Sequence, residues 1–264
     1  MDEYKLYPAG DCAINVTFSN RVDPQINRSI QQLQENLRSM QQTGITGFVP
    51  AFRTLTVFYD PILVTFEQLK RVIHQASLKA STLQTQAIRI VHIPVCYGKD
   101  FSPDLKNVAN HAKLTPREVV KRHCQPNYLI YMLGFLPGFV YLGGLDPQLA
   151  TPRLATPRLK IEPGAVGIAG EQTGIYPIES PGGWQIIGQT PLRLFQPDQD
   201  EPFYYHAGDY IHFDPVSDFE YQQIKKMVDE GHYQVYIETR KVTEDGDSSD
   251  TAGITDDGSG SGKN

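Results

Sequence analysis

The sequence predicts an α+β protein, a small N-terminal α/β sandwich domain followed by a β-barrel domain. Three observations carry that prediction. The first 84 residues contain two pairs of short strands, each pair followed by an amphipathic helix, in the order ββαββα. The stretch Gly134–Pro191 then holds 11 of the 22 glycines and 8 of the 19 prolines. Between them lie short β-branched and aromatic runs, so many forced turns separate short strands. Finally, a length of 264 residues is enough for two separate cores.

In chain order, Tyr4–Tyr7 and Cys12–Phe18 read as strands around a turn at Pro8–Asp11. Asp23-Pro24 supplies an N-cap followed by proline at the first helical position. Ile26, Ile30, Leu33, Leu37 and Met40 recur at helical spacing, with Gly44 as the expected stop. Strands are expected at Ile45–Val49 and Thr54–Tyr59. Thr65 with Gln68 forms a capping box for a second helix, whose buried stripe is Phe66, Leu69, Val72, Ile73 and Ala76. The polar run Ser81–Thr85 marks the boundary, giving domains at 1–84 and 85–238.

Ala87–Cys96 alternates as a strand, and helices are expected at Ser102–Ala112 and from the capping box Thr115-Pro116-Arg117-Glu118. Strands are expected at Asn127–Met132, Val166–Ala169, Ile175–Ile178, Trp184–Ile187, Leu192–Phe195 and Tyr210–Phe213. Ser217 with Glu220 caps a last helix stopped by Gly231, and Tyr233–Ile237 reads as a closing strand. Residues 239–264 form a tail, acidic and Gly/Ser-rich from Thr243, expected to be disordered.

Composition narrows the function classes. The 40% apolar and 10% aromatic content is that of an ordinary globular protein. No apolar run approaches the roughly 18 residues of a membrane span, and the acidic N-terminal stretch shows no signal core. Cys12, Cys96 and Cys124 are far apart without CxxC spacing, which suits free thiols in the cytoplasm and no structural zinc. A net charge of −6 offers no field for nucleic acid. Gly262-Lys263 lacks the following Ser/Thr and the flanking strand and helix of a phosphate loop.

Candidate chemistry concentrates in the glycine-rich stretch. Arg153 and Arg158 occupy the tandem TPRLA-TPRL, where two guanidiniums can be aimed at one carboxylate or phosphate; they also fit as two exposed loop arginines. Glu171-Gln172-Thr173-Gly174 reads as a turn whose donors could cradle an anion or an amide, or as a plain hairpin turn. Trp184, after the turn Ser180–Gly183, suits either a ligand wall or a core side chain. Ser180 lies in no nucleophile elbow. The seven histidines form no metal pattern, and His123 at a helix end would favour the dipole as a cation.

The motifs themselves resemble a family. GFLPGFVYLGGL, PRLKIEPGAVGIAGEQTGIYPIESPGGWQIIGQTP, the Gly10-Asp11-x-Ala13 motif, VPAFRTLTVFYDP and HIPVCYGKDFSPDL are similar to the family of 5-oxoprolinase B subunits, also called the KipI-like or allophanate hydrolase subunit 1 family. The resemblance spans about residues 4–237. It implies a cyclophilin-like β-barrel after a small α/β domain. It further implies a component, inactive alone, of the ATP-dependent enzyme that hydrolyses 5-oxo-L-proline to L-glutamate with 5-oxoprolinase subunits C and A. ATP would phosphorylate the lactam oxygen, with Mg²⁺ held partly by a partner subunit. On that basis Arg153 and Arg158 would hold anionic groups, and Gln172 and Thr173 would supply donors. Tyr176 and Trp184 would shape the pocket, and Phe135, Pro137 and Phe139 would line it or the interface with the C subunit. KipI-like relatives imply an alternative, inhibition of a sporulation histidine kinase. Urea carboxylases imply another, carboxyl transfer with biotin on a separate carrier.

Overall fold

The structure, a computed structural model, describes residues 3–79 and 87–241. The expected boundary at Ser81–Thr85 and the acidic tail lie outside the described residues. The first unit is a four-stranded antiparallel sheet in the order β1 (Lys5–Pro8), β2 (Ala13–Thr17), β4 (Thr54–Tyr59), β3 (Ile45–Pro50). Helices α1 (Pro24–Ser39) and α2 (Phe66–Leu78) cover one face. Ile14, Val16, Leu55 and Val57 from the sheet meet Ile26, Ile30, Leu33 and Leu37 of α1 and Leu69, Ile73 and Ala76 of α2 in one core. The start signals work as their chemistry demands. The Asp23 carboxylate accepts from the Gln25 N–H, and Thr65 and Gln68 close a reciprocal capping box. Helix α1 stops before Gly44, because Gln41 already turns left-handed at φ +46°. Phe66 and Val72 sit half-buried at the rim of the α2 stripe.

The second unit is a closed barrel. Seven strands pair in the ring β12 (Gln185–Gln189), β9 (Ala165–Ala169), β10 (Gln172–Ile175), β7 (Val140–Gly143), β6 (Tyr128–Leu133), β13 (Tyr210–Val216), β5 (Ala87–Cys96), and β12 returns to β5 at Gln189–Cys96. Only β13–β5 is parallel among these pairs. Strand β14 (Ile237–Lys241) lies antiparallel on the lower half of β5, on the edge that β12 reaches further along. Val91, Ile93, Val166, Ile168, Ile187, Ile211 and Phe213 fill the interior. Helices α3 (Leu105–Ala112), α4 (Pro116–His123) and α5 (Asp218–Asp229) flank the ring. Capping boxes at Thr115–Glu118 and Ser217–Glu220 start the last two. A two-stranded ribbon, β8 (Arg158–Ile161) with β11 (Ser180–Gly182), lies beside the barrel.

Four expected elements differ. Helix α3 starts at Leu105, not Ser102, because the Ser102 hydroxyl is taken by the carbonyls of Tyr97 and Gly98 at 3.0 and 2.8 Å. The strand expected at Ile175–Ile178 runs over Gln172–Ile175. Leu192–Phe195 forms no strand; Leu192 and Leu194 instead plug the barrel core from an irregular segment. The closing strand begins at Ile237 and crosses the expected limit at 238. No described helix is long and apolar enough to cross a membrane.

The two units touch through polar and aromatic groups. Asn27 of α1, buried, donates its Nδ2–H to the Tyr131 carbonyl at 3.2 Å. Phe52, between β3 and β4, packs its ring 5.4 Å from Tyr131 and 5.9 Å from Tyr141.

Candidate functional site

Strand alternation divides the barrel wall into two layers. On β9, Val166 and Ile168 face inward, whereas Ala165 and Ala169 face a second apolar cluster with Phe139, Ile161, Tyr176, Trp184 and Ile186. Its aromatic rings meet edge to face, the geometry their quadrupoles favour. Phe139 stands 5.2 Å from Tyr176 and 5.4 Å from Trp184, at 81° and 88°. The indole fits because β10 carries Gly174 there: a Cβ would come 3.1 Å from the Trp184 ring and 2.8 Å from the Val140 carbonyl.

Residues 151–158 lie over this layer as a strap fastened along its length. Thr151 bridges to Gly170, the Gln185 amide donates to the Pro152 carbonyl at 3.0 Å, and the Leu154 N–H donates to Gly183 O at 2.7 Å. The strap carries both candidate arginines, and they differ. Arg153 is exposed, with its guanidinium 6.0 Å from the Trp184 ring centroid. It forms no ion pair among the described residues. Arg158 is pinned: one amino group donates to Asp104 Oδ1 at 2.7 Å and the other to the Trp184 carbonyl at 3.4 Å. Burial pushes the Tyr176 hydroxyl up to about 12, opposed by the charge of Arg153 and by the Trp184 backbone N–H. Burial likewise raises the Tyr141 hydroxyl, and Arg153 again opposes it. One accessible cation over the Trp184 ring, a second bonded to the Trp184 carbonyl and the Tyr176 ring 6.2 Å from the indole therefore meet at Trp184. That set suits a small anion or a carboxylate-bearing ligand.

The structure gathers Arg153, Arg158, Phe139, Tyr176 and Trp184 into this one place. Phe135 lies at its margin, 5.9 Å from Phe139, and Pro137 is exposed in the same loop. Gln172 and Thr173 are not in a turn; they belong to β10, and the turn is made by Gly170, at φ +58°, and Glu171. Gln172 is half-buried on the outer face, whereas Thr173 points inward and is fully buried. The Thr173 hydroxyl donates to Gly167 O at 3.0 Å and meets His123 Nε2 at 2.8 Å, so it supplies no donor to the outer site. Ser180 likewise sits in strand β11 rather than a turn.

His123 departs from the cationic helix-end role. It is fully buried, and burial holds its imidazole neutral, lowering its pKa to about 3. Thr173 has one proton and gives it to Gly167, so His123 Nε2 donates to Thr173 and Nδ1 accepts from the Tyr97 hydroxyl at 2.8 Å. Asp104 was not among the sequence candidates. It is 3% exposed, and its partner is 54 residues away in sequence, which no local pattern reveals.

Among the described residues no group of three His, Cys, Asp or Glu side chains could hold a metal ion. A groove of about 820 Å³ lies elsewhere, beside α2 between Tyr4, Leu6, Lys70, His74 and Leu78, without the arginine pair that meets at Trp184.

Comparison with known proteins fits this architecture. The family model described as carboxyltransferase domain, subdomain C and D, matches residues 4–205. The 5-oxoprolinase B subunit of Bacillus subtilis (strain 168) is 40% identical over 233 residues, covering 84% of this chain and 97% of that protein. The crystal structure of TTHA0988 is 33% identical with a TM-score of 0.70, covering 78% of this chain. This chain spans only 40% of that longer one. The K. lactis urea amidolyase structure shares the fold, with a TM-score of 0.73 at 20% identity over 90% of this chain and 16% of that one. A 264-residue chain matched by that family model and by a protein of nearly its own length belongs to the carboxyltransferase subdomain C and D family and, within it, to the 5-oxoprolinase B subunits.

Proposed function

We propose that this chain serves as the B subunit of an ATP-dependent 5-oxoprolinase, opening 5-oxo-L-proline to L-glutamate together with subunits A and C in the cytoplasm. The observation that carries the reading is Arg153, an exposed guanidinium lying over Trp184 on a fastened strap. A lactam is inert toward water until its oxygen is activated. Once ATP has phosphorylated that oxygen, water adds to the carbon, and the C–N bond breaks with the ring nitrogen leaving as the amine. Hydrolysis of the resulting acyl phosphate yields L-glutamate and inorganic phosphate. The substrate carboxylate, or a phosphate near it, needs a fixed cation, and Arg153 with Arg158 offers one. Tyr176 and Trp184, both buried, back the arginines with an apolar layer from beneath.

The fit to the cofactor is limited. Arg153 suits one anionic group, and the described residues offer no carboxylate cluster for Mg²⁺. In this reading Mg²⁺ would be held partly by a partner subunit.

The test is ATP-dependent glutamate release from 5-oxoproline by subunits A and C with and without this chain. Release is expected only with all three present. Equal release when this chain is omitted overturns the proposal.

A further inference from the structure

We infer that Asp104 is a positioning residue, the buried carboxylate that fixes both arginines of the strap for anion binding. This rests on the reading of Arg153 and Arg158 as the anion-binding pair.

Asp104 occupies the N-cap position of α3 but makes no side-chain cap bond to its own helix. N-cap aspartates normally accept from the second or third N–H of the helix. Here the carboxylate turns away and both oxygens are committed elsewhere. Oδ1 accepts from Arg158 at 2.7 Å, and Oδ2 accepts from the Ile186 N–H at 2.7 Å. The Asp104 N–H returns a bond to the Ile186 carbonyl at 2.9 Å, so backbone and side chain grip one residue of β12. Arg158 in turn holds the Trp184 carbonyl. Asp104, Arg158, Trp184 and Ile186 thus form a closed loop of bonds at the start of β12. Trp184 carries Arg153 on its ring.

Two consequences follow. The Asp104 side chain is 5% exposed and that of Arg158 31%, so the pair joins a hidden anion to a cation still reachable from solvent. A guanidinium held on one edge keeps its remaining N–H groups aimed outward, and its rotamer freedom is lost before any ligand arrives. Through Arg158 and Ile186, Asp104 also holds the backbone on either side of Gln185, the segment that carries Trp184 and the ring on which Arg153 rests. It touches no ligand itself and acts through the two arginines.

The chain has one tryptophan, so its fluorescence reports this site alone. The full-length protein is titrated with 5-oxoproline and separately with pyrophosphate, reading Trp184 emission. Wild type is expected to show a saturable change with at least one probe. Asp104→Asn keeps the shape and removes the charge; its half-saturation is expected at least tenfold higher, with a similar end-point. In the reconstituted three-subunit enzyme the same variant is expected to raise KM about tenfold and to change kcat less. Asp104→Glu, which restores the charge, is expected to recover part of the affinity.

If Asp104→Asn titrates like wild type, the positioning role is wrong while the anion site stands. If it melts early and loses kcat with KM unchanged, Asp104 is merely structural and the inference is overturned. If wild type ignores both probes, the strap holds no anion and the inference falls with it. If wild type binds a probe but the full enzyme mixture releases no glutamate, the 5-oxoprolinase reading fails and the positioning role survives.

Discussion

The guanidinium of Arg153 lies over the ring of Trp184, 6.0 Å from its centroid, on the solvent side of an indole that is itself 3% exposed. Exposed cation–π contacts contribute only about 0.5–1 kcal/mol. Arg153→Ala is therefore expected to leave the melting temperature within about 2 °C of wild type. Activity of the reconstituted enzyme should fall 10- to 100-fold. Arg158→Ala should behave differently, because it strands the buried Asp104 carboxylate. Breaking a buried pair costs about 3–5 kcal/mol; with Arg158 partly exposed, about 2–3 kcal/mol is expected. Melting curves of both variants check the contrast, and equal losses of stability would contradict it.

Phe135 combines two unfavourable features, a left-handed backbone at φ +69° and an aromatic ring that is 69% exposed. A side chain in that backbone region costs about 1–2 kcal/mol, whereas glycine there loses about 0.5–1 kcal/mol of extra backbone entropy on folding. Phe135→Gly is expected to melt at or slightly above the wild-type temperature despite losing a whole ring. If the ring is kept for the proposed partner subunit, calorimetric titration should show about tenfold weaker association. Unchanged association together with a lower melting temperature would show that the ring serves the fold alone.

His123 predicts an acid sensitivity. Burial lowers its pKa to about 3 in the folded chain, against about 6.5 when unfolded. Between those values the unfolded state binds a proton that the folded state does not, so stability falls as pH falls. From pH 7 to pH 5 this one group should remove about 2 kcal/mol. Urea unfolding at the two pH values measures it. His123→Asn should be less stable at pH 7 through a lost hydrogen bond, yet show a correspondingly shallower pH dependence. An identical dependence in variant and wild type would rule His123 out as the cause.

The helices were legible because their signals are local. Asp23-Pro24, Thr65–Gln68, Thr115–Glu118 and Ser217–Glu220 each place a start within a few residues, and all four form. The strands around Gln172 were shifted because glycine is ambiguous. Gly174 read as a turn residue, but it is there to clear space for Trp184, while Gly170 makes the turn. Leu192 and Leu194 have strand composition and are buried, yet they pair with nothing in the ladder; apolar composition reports burial more faithfully than hydrogen bonding. At the site, the arginine tandem and Trp184 could be singled out by residue type. The division of labour between Arg153 and Arg158 could not, since it depends on an aspartate in another element.

Strand β5 joins β13, β14 and β12 along its two edges, yet it ends at Cys96, while β12 begins at Gln185 and β13 at Tyr210. During synthesis, β5 leaves the ribosome with both edges unpaired and waits for partners roughly a hundred residues behind it. At ordinary elongation rates that interval is on the order of 10 s. Contacts so distant in sequence also close slowly, because the loop entropy is lost before the ladder forms. Throughout that interval AIRIVHIPVC is an exposed apolar strand with open hydrogen-bonding edges, the kind of surface that recruits chaperones or a second unfinished chain.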